Sequence, residues 1–215
     1  MPRFDQKIAS ELAYAACRGA GASEPAARSL AEATISAELR GKSAVGFRHL
    51  VDYLGALAAG RITGDVEPQL SSPVAAFIRS DARGGIAQLG FDRAFDDLRQ
   101  RCAAWGVAIF VQHNSYTTGE LGYYVRRLAE VGFVALAATN GPALMTVPGG
   151  VAPVYCTNPL AFAAPVENGR RWRSIRRAAP RPSSTSESVR NAGRNCPRVG
   201  RSTKTASRRR MLMRP

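Results

Sequence analysis

The 215 residues are 45% hydrophobic, enough to pack one large or two small domains. The formal charge of +14 is unevenly placed: residues 1–168 balance fifteen basic against fifteen acidic side chains, whereas residues 169–215 hold fifteen basic residues and one acid, Glu187. This excludes a uniformly basic nucleic-acid-binding domain, because the whole excess belongs to the tail.

In chain order, Phe4, Ile8, Leu12 and Ala15 recur at helical spacing and stop before GAGAS. Ser23 of that segment is placed to cap a second helix over about 24–40, with Ala27, Leu30, Ala31 and Ile35 inward. After GKSAVG, the run FRHLVDYLGALAAG predicts a third helix ended by Gly60. VAAFIRS reads as a strand, GFDRAFDDLRQRCAAWG as a helix closed by Gly106, and VAIFVQ as a buried strand. GELGYYVRRLAEVG is helical, FVALAATN is another buried strand, and PVYCTNPLAFAAP resumes extended chain. Three helices followed by alternating strands and helices predict an α/β fold, its N-terminal helices packed with a mixed or parallel sheet.

Cys17, Cys102, Cys156 and Cys196 are scattered, and His49 and His113 are the two histidines, so neither a disulfide framework nor a Cys/His metal cluster is expected. The N-terminus lacks a signal-peptide core and no stretch reaches the length of a membrane span, so the expectation is a soluble, reduced, cytoplasmic protein without a membrane partner.

No G-x-G-x-x-G or G-x-x-x-x-G-K-[ST] follows a predicted strand, so a standard dinucleotide fold and a P-loop are unsupported. The polar cluster QHNSYTTGELGYY starts where VAIFV ends and runs into a helix. α/β proteins bind ligands at such strand ends, because a helix N-terminus offers free N–H groups to anions. An ordinary capped loop, with Thr117 or Thr118 as N-cap, explains the same residues. TNGPALMTVPGG and CTNPLAF repeat the pattern at two more strand edges, and the three loops could converge on one cleft. Arg48 could hold a carboxylate through two parallel hydrogen bonds or be a solvated surface charge. Ser43 could relay a proton or cap a turn. His49 and His113 could be acid/base groups, although a partly buried structural histidine is the commoner case.

Three segments, GKSAVGFRHLVDYLGALAAGRI, QHNSYTTGELGYYVRRLAEVGFVALAATN and GGVAPVYCTNPLAFAAP, together resemble the malate/L-lactate dehydrogenase family. That family includes ureidoglycolate dehydrogenase and the Δ1-piperideine-2-carboxylate/Δ1-pyrroline-2-carboxylate reductases, and the resemblance spans about residues 4–168. Its pattern is S-H-G-V-x-R before a helix, an S-N-H-F-G-x-x-G-Y-Y loop and G-T-N-P-x-A-F. The resemblance implies a non-Rossmann NAD(P)-binding fold, a homodimer in the intact family, and hydride exchange between NADP or NAD and a 2-oxo acid or cyclic imino acid, with NADPH favoured. It assigns Ser43 to proton relay, Arg48 to carboxylate binding, Thr157 to the substrate side, and Thr117, Thr118, Gly119, Glu120 and Leu121 to the cofactor loop. Ala44 and Thr117 stand where the pattern has histidines. A hydroxyl substrate needs a base to take its proton, which makes malate or lactate oxidation the alternative. A protonated cyclic ketimine already accepts hydride, and Arg48 need only orient its carboxylate. Reduction of Δ1-pyrroline-2-carboxylate or Δ1-piperideine-2-carboxylate to L-proline or L-pipecolate is therefore the expected activity.

The resemblance stops near Asn168. The codons admitted by NCPRVGRSTKTAS (195–207), regrouped so that each triplet starts one base earlier, admit ELPEGWAVDKDGK, which contains the family's later L-P-x-G-W-A-x-D-x-x-G pattern. RWRSI admits PLAVD in the same way. Degeneracy leaves choices at each triplet, so this is a consistency test that could have failed. The expectation is a frameshift between about Asn168 and Arg171. Residues 1–168 are then the N-terminal part of a reductase domain, and residues 169–215 an out-of-frame, arginine-rich tail with too few large apolar residues to offset its ordering entropy. Little activity and a disordered tail follow. The reading from another class is a small nucleic-acid-binding module that uses the basic tail; the reductase reading expects no specific nucleic acid.

Overall fold

The computed structural model describes residues 5–147, 150–166 and the backbone of 172–177. Phe4 and the segment 195–207 lie outside the described residues, as does most of the basic tail. Helix α1 (Gln6–Gly19) starts at Asp5, whose carboxylate accepts the N–H groups of Lys7 at 2.8 Å and Ile8 at 3.2 Å. Helix α2 (Glu24–Glu38) starts at Ser23, which accepts the Ala26 N–H at 3.4 Å, and carries Pro25 in its first turn. A 3-10 turn (Ser43–Val45) leads into α3 (Phe47–Ala58). There follow β1 (Gln69–Ser71), β2 (Phe77–Asp81), α4 (Ala87–Trp105), β3 (Ile109–His113), α5 (Leu121–Glu130), β4 (Ala135–Ala138), β5 (Pro159–Ala164) and β6 (Trp172–Arg177). None of the described helices is long and apolar enough to cross a membrane.

The strands form two three-stranded sheets. In the first, β1 runs antiparallel and β3 parallel to β2, with Phe77 opposite Ile109 and Asp81 opposite His113. Parallel pairing requires a crossover, supplied here by α4, and brings the carboxyl ends of β2 and β3 together. Gly90 lets α4 approach that sheet: a Cβ there would lie 1.8 Å from Gln112 Oε1 and 2.8 Å from Ser80 Oγ. The second sheet, β4-β5-β6, is antiparallel throughout, with Ala135 opposite Ala163.

Three apolar clusters hold these elements. Ala13, Cys17, Leu30, Leu50, Tyr53 and Leu89 belong to the first, between α1, α2, α3 and the start of α4. Ile78, Phe91, Leu98, Tyr123 and Tyr124 build the second, in which the Phe91 ring meets Phe95, Phe110 and Tyr124 edge-on at 5.0–5.8 Å. In the third, Leu121, Val125 and Ala129 of α5 pack on Ala135, Ala161 and Ala163. Helix α5 thus contributes to both the second and third clusters, and seven of its ten residues are buried.

Three sequence expectations change. In α1 the inward residues are Ala13 and Cys17, while Ile8 and Leu12 are 60% and 62% exposed. Small side chains on that face allow close approach to α2, which buries nine of its fifteen residues, including Ala27, Leu30, Ala31 and Ile35 as expected. The strand expected in VAIFVQ is a half-exposed edge, with Ile109 and Val111 open to solvent, and Leu136 of β4 is likewise exposed. Strong β-formers mark a strand but do not say which strands flank it. The sheet is also not one but two, and the short β1 carries no apolar alternation to announce it. Residues 172–177 pair antiparallel with β5, since backbone ladders need extended chain rather than a particular side chain.

Candidate functional site

The carboxyl end of the β2/β3 pair opens into a cleft of about 1090 Å³. At the end of β2, beside the cleft residues His113 and Asn114, Asp81 accepts the Arg83 N–H at 2.8 Å and the Asn114 side-chain amide at 3.1 Å, with His113 Nε2 3.7 Å away. The Arg83 N–H first, and then the Asn114 amide, hold the Asp81 carboxyl below its usual value. Asn114 sits at φ +52°, which turns the chain sharply out of β3 into the polar loop that ends at α5.

That loop is pinned from beneath. Tyr53 of α3 donates its hydroxyl to the Thr117 carbonyl at 2.6 Å, and Tyr124 of α5 donates to the Thr118 carbonyl at 2.7 Å. Burial pushes both phenols up, so they remain donors at neutral pH. Gln88 is 1% exposed and donates Nε2 to the Thr118 carbonyl and to Tyr53 Oη, both at 3.3 Å. Gly119 adopts φ +66°, and a Cβ on it would lie 3.2 Å from Gln88 Nε2. Thr117, Thr118 and Leu121 line the cleft, the carbonyls of residues 117 and 118 being held by the buried donors. No side chain caps the start of α5, where the Tyr123 N–H turns back to the Glu120 carbonyl at 2.9 Å.

Glu120 has a different task. It is 7% exposed; its carboxylate accepts both guanidinium nitrogens of buried Arg126, at 2.9 and 2.8 Å, and Lys42 Nζ at 2.6 Å. Burial raises its carboxyl, and the hydrogen bonds and charges of Arg126 and Lys42 outweigh that, so the net shift is downward. Arg126 also reaches Ser36 of α2 at 2.7 Å. The pair ties the loop to α2 and to the residue preceding the 3-10 turn, and Glu120 lies outside the cleft lining.

Thr157, Cys156, Asn140 and Thr139 line the cleft from the segment between β4 and β5. Among the expected site residues, the cleft therefore brings together Thr117, Thr118, Gly119, Leu121 and Thr157. Ser43 is exposed and donates to Glu38 Oε2 at 3.1 Å, outside the lining. Arg48 is exposed on α3, also outside the lining. Its neighbour His49 instead turns to the cleft, stacked edge-on to Tyr53 with ring centroids 4.9 Å apart. His49 Nε2 lies 2.8 Å from Thr117 Oγ1, and Nδ1 lies 3.2 Å from Asp52 Oδ2. The contact spans 68 positions, so no local pattern announces it.

The family described as malate/L-lactate dehydrogenase matches residues 4–173. A Δ1-pyrroline-2-carboxylate/Δ1-piperideine-2-carboxylate reductase of Pseudomonas putida is 37% identical over 145 residues, 67% of this chain and 42% of the relative. An NADP(+) (2R)-3-sulfolactate dehydrogenase of Chromohalobacter salexigens is 34% identical over 157 residues, 73% of this chain and 47% of the relative. The crystal structure of Δ1-piperideine-2-carboxylate reductase from Pseudomonas syringae pvar. tomato superposes with a TM-score of 0.77 at 29% identity, over 90% of this chain and 57% of that one. Malate dehydrogenase of Entamoeba histolytica shares the fold at 22% identity and a TM-score of 0.77, over 89% of this chain and 54% of that one. The chain spans about half the length of the curated relatives it matches. Matching motifs, fold and extent agree, and the chain belongs to the malate/L-lactate dehydrogenase family.

Proposed function

We propose that this chain is the N-terminal part of an NAD(P)H-dependent reductase of cyclic 2-ketimine carboxylates, Δ1-pyrroline-2-carboxylate or Δ1-piperideine-2-carboxylate, with NADPH as donor. The observation that carries the reading is the pinned loop 115–120 at a strand end, which presents hydroxyls and an uncapped helix start to a cleft of about 1090 Å³. This donor set fits a nicotinamide dinucleotide: Thr117, Thr118, Gly119 and Leu121 would hold it, and the N-terminus of α5 suits a phosphate. A bound reduced nicotinamide supplies the hydride. The chain's own residues bind and orient the acceptor. Arg48, exposed outside the cleft lining and with no acidic partner among the described residues, would have to turn towards the cleft to take the substrate carboxylate through two parallel hydrogen bonds, and Thr157 would face the ring from within the cleft. Ser43 would enter a proton path only by leaving Glu38. Glu120 supports the loop through Arg126 and Lys42 rather than by touching a cofactor.

The ketimine reading is supported over malate-type oxidation by the reductase relatives and by Ala44, which leaves no histidine beside Ser43. We further propose that residues 169–215 are read one base out of frame, which would leave this product with little turnover. The gene around codons 165–215 decides that point: a tryptophan codon overlapping the present Gly200 in the alternative frame supports it, and its absence overturns it. The frame-restored protein is expected to consume NADPH, followed by loss of its absorbance, with either ketimine and to do so far more slowly with pyruvate or oxaloacetate. A folded, restored protein with no turnover on any of these overturns the reductase reading.

A further inference from the structure

We infer that His49 is the proton carrier of this site, acting through the Thr117 hydroxyl. The inference rests on the reductase reading for its purpose but on hydrogen-bond geometry for its substance.

The hydroxyl of Thr117 is shared between two partners, His49 Nε2 at 2.8 Å and Tyr53 Oη at 2.7 Å. Tyr53 has one hydrogen, and it is given to the Thr117 carbonyl at 2.6 Å. Tyr53 Oη is therefore an acceptor towards the Thr117 hydroxyl. Two proton arrangements satisfy every group. In the first, the His49 ring carries both hydrogens: Nδ1–H donates to Asp52, Nε2–H donates to Thr117 Oγ1, and the Thr117 hydroxyl donates to Tyr53. In the second, the ring is neutral with its hydrogen on Nδ1, still donated to Asp52, and the Thr117 hydroxyl rotates to donate to Nε2. The two differ by one proton and one hydroxyl rotation, and neither leaves a donor unpaired. An ordinary structural histidine needs only one such arrangement. The groups facing His49 are Asp52 and Tyr53 from α3 and Thr117 from the loop, with Tyr116 packed edge-on behind Tyr53 at 5.3 Å.

Both His49 and Thr117 line the cleft, so the hydroxyl can give its own hydrogen to a bound acceptor. In that step the Thr117 O–H bond breaks and an N–H bond forms on the imine nitrogen, while His49 loses its Nε2 hydrogen to Thr117 Oγ1. The imidazolium becomes neutral imidazole. The ring carbon of the imine receives the hydride and its electron pair from the reduced nicotinamide dinucleotide, which is oxidised. One imine, one hydride and one proton give one secondary amine. The histidine thus sits one side chain behind a residue that is a threonine in this chain, where helix α3 can deliver it.

The full 215-residue chain, uniformly ¹⁵N-labelled and with His113→Gln to assign the rings, tests this by NMR of the ring nitrogens and backbone amides. The neutral His49 ring is expected to carry its hydrogen on Nδ1, and Thr117→Val or Asp52→Ala is expected to abolish that preference. NADP(+) with Δ1-pyrroline-2-carboxylate is expected to shift the Nε2 resonance. Hydrogen on Nε2 in the neutral wild-type ring, or a ring pattern unchanged by both substitutions, overturns the inference. So does a response of the Gly119 and Thr157 amides to the imine with Nε2 unmoved. If the imine moves no resonance at all, the spectra of the free chain still decide whether His49 and Thr117 share a proton, and the reductase reading is decided separately by turnover of the frame-restored protein.

Discussion

The cleft has two unlike walls. The loop from Asn114 to Leu121 is fastened by three buried donors, Tyr53, Tyr124 and Gln88, and by the Glu120–Arg126 pair, both partners of which are 4% exposed at their side chains. The opposite segment between β4 and β5 carries Leu144, Val151 and Val154 at 72%, 91% and 58% exposure and is stitched by a Met145–Tyr155 bridge. Polar groups therefore make the first wall rigid, since every inward carbonyl has a buried partner that water cannot replace cheaply. The second wall has hydrophobic side chains in solvent and little beneath them. A binding loop needs the first kind of support if it is to hold donors in place before a ligand arrives.

This contrast can be broken from the rigid side. Glu120→Gln leaves the Arg126 guanidinium buried without its counter-charge and is expected to cost about 3–5 kcal/mol, read from urea unfolding. The same substitution removes a pH dependence. The Glu120 carboxyl is lowered in the folded chain, so its stabilisation is complete above the ordinary carboxylate value and disappears as pH falls through the lowered one. Wild type should lose stability over that acid range, and the Gln variant should lose less.

Tyr53→Phe strips the Thr117 carbonyl of its donor and Gln88 of an acceptor, and is expected to cost about 1–3 kcal/mol in the same measurement. Gly119→Ala forces a side chain into the left-handed region beside Gln88, at about 1–2 kcal/mol. On the other wall, Val151→Thr should stay within about 0.5 kcal/mol of wild type, because its side chain is exposed in the folded chain. If Val151→Thr costs as much as Tyr53→Phe, the two walls are not different in kind.

Much of this was legible in the residues themselves. Helix starts at Ser23 and helix ends at Gly60 and Gly106 follow from capping and φ preferences, which act within four or five positions. The polar loop Thr117–Leu121 at the end of β3 was legible because a polar cluster between a strand and a helix is a local signal too. Tertiary structure decided the rest. Only packing could show that Ile8 and Leu12 face solvent, that β3 is an edge, and that the strands divide into two sheets, because burial depends on what the rest of the chain covers. Nor could spacing reveal that Glu120 answers Arg126 while His49, not Arg48, meets Thr117. Adjacent residues on a helix point about 100° apart, and which of them finds a partner 68 positions away is settled by how the chain folds back on itself.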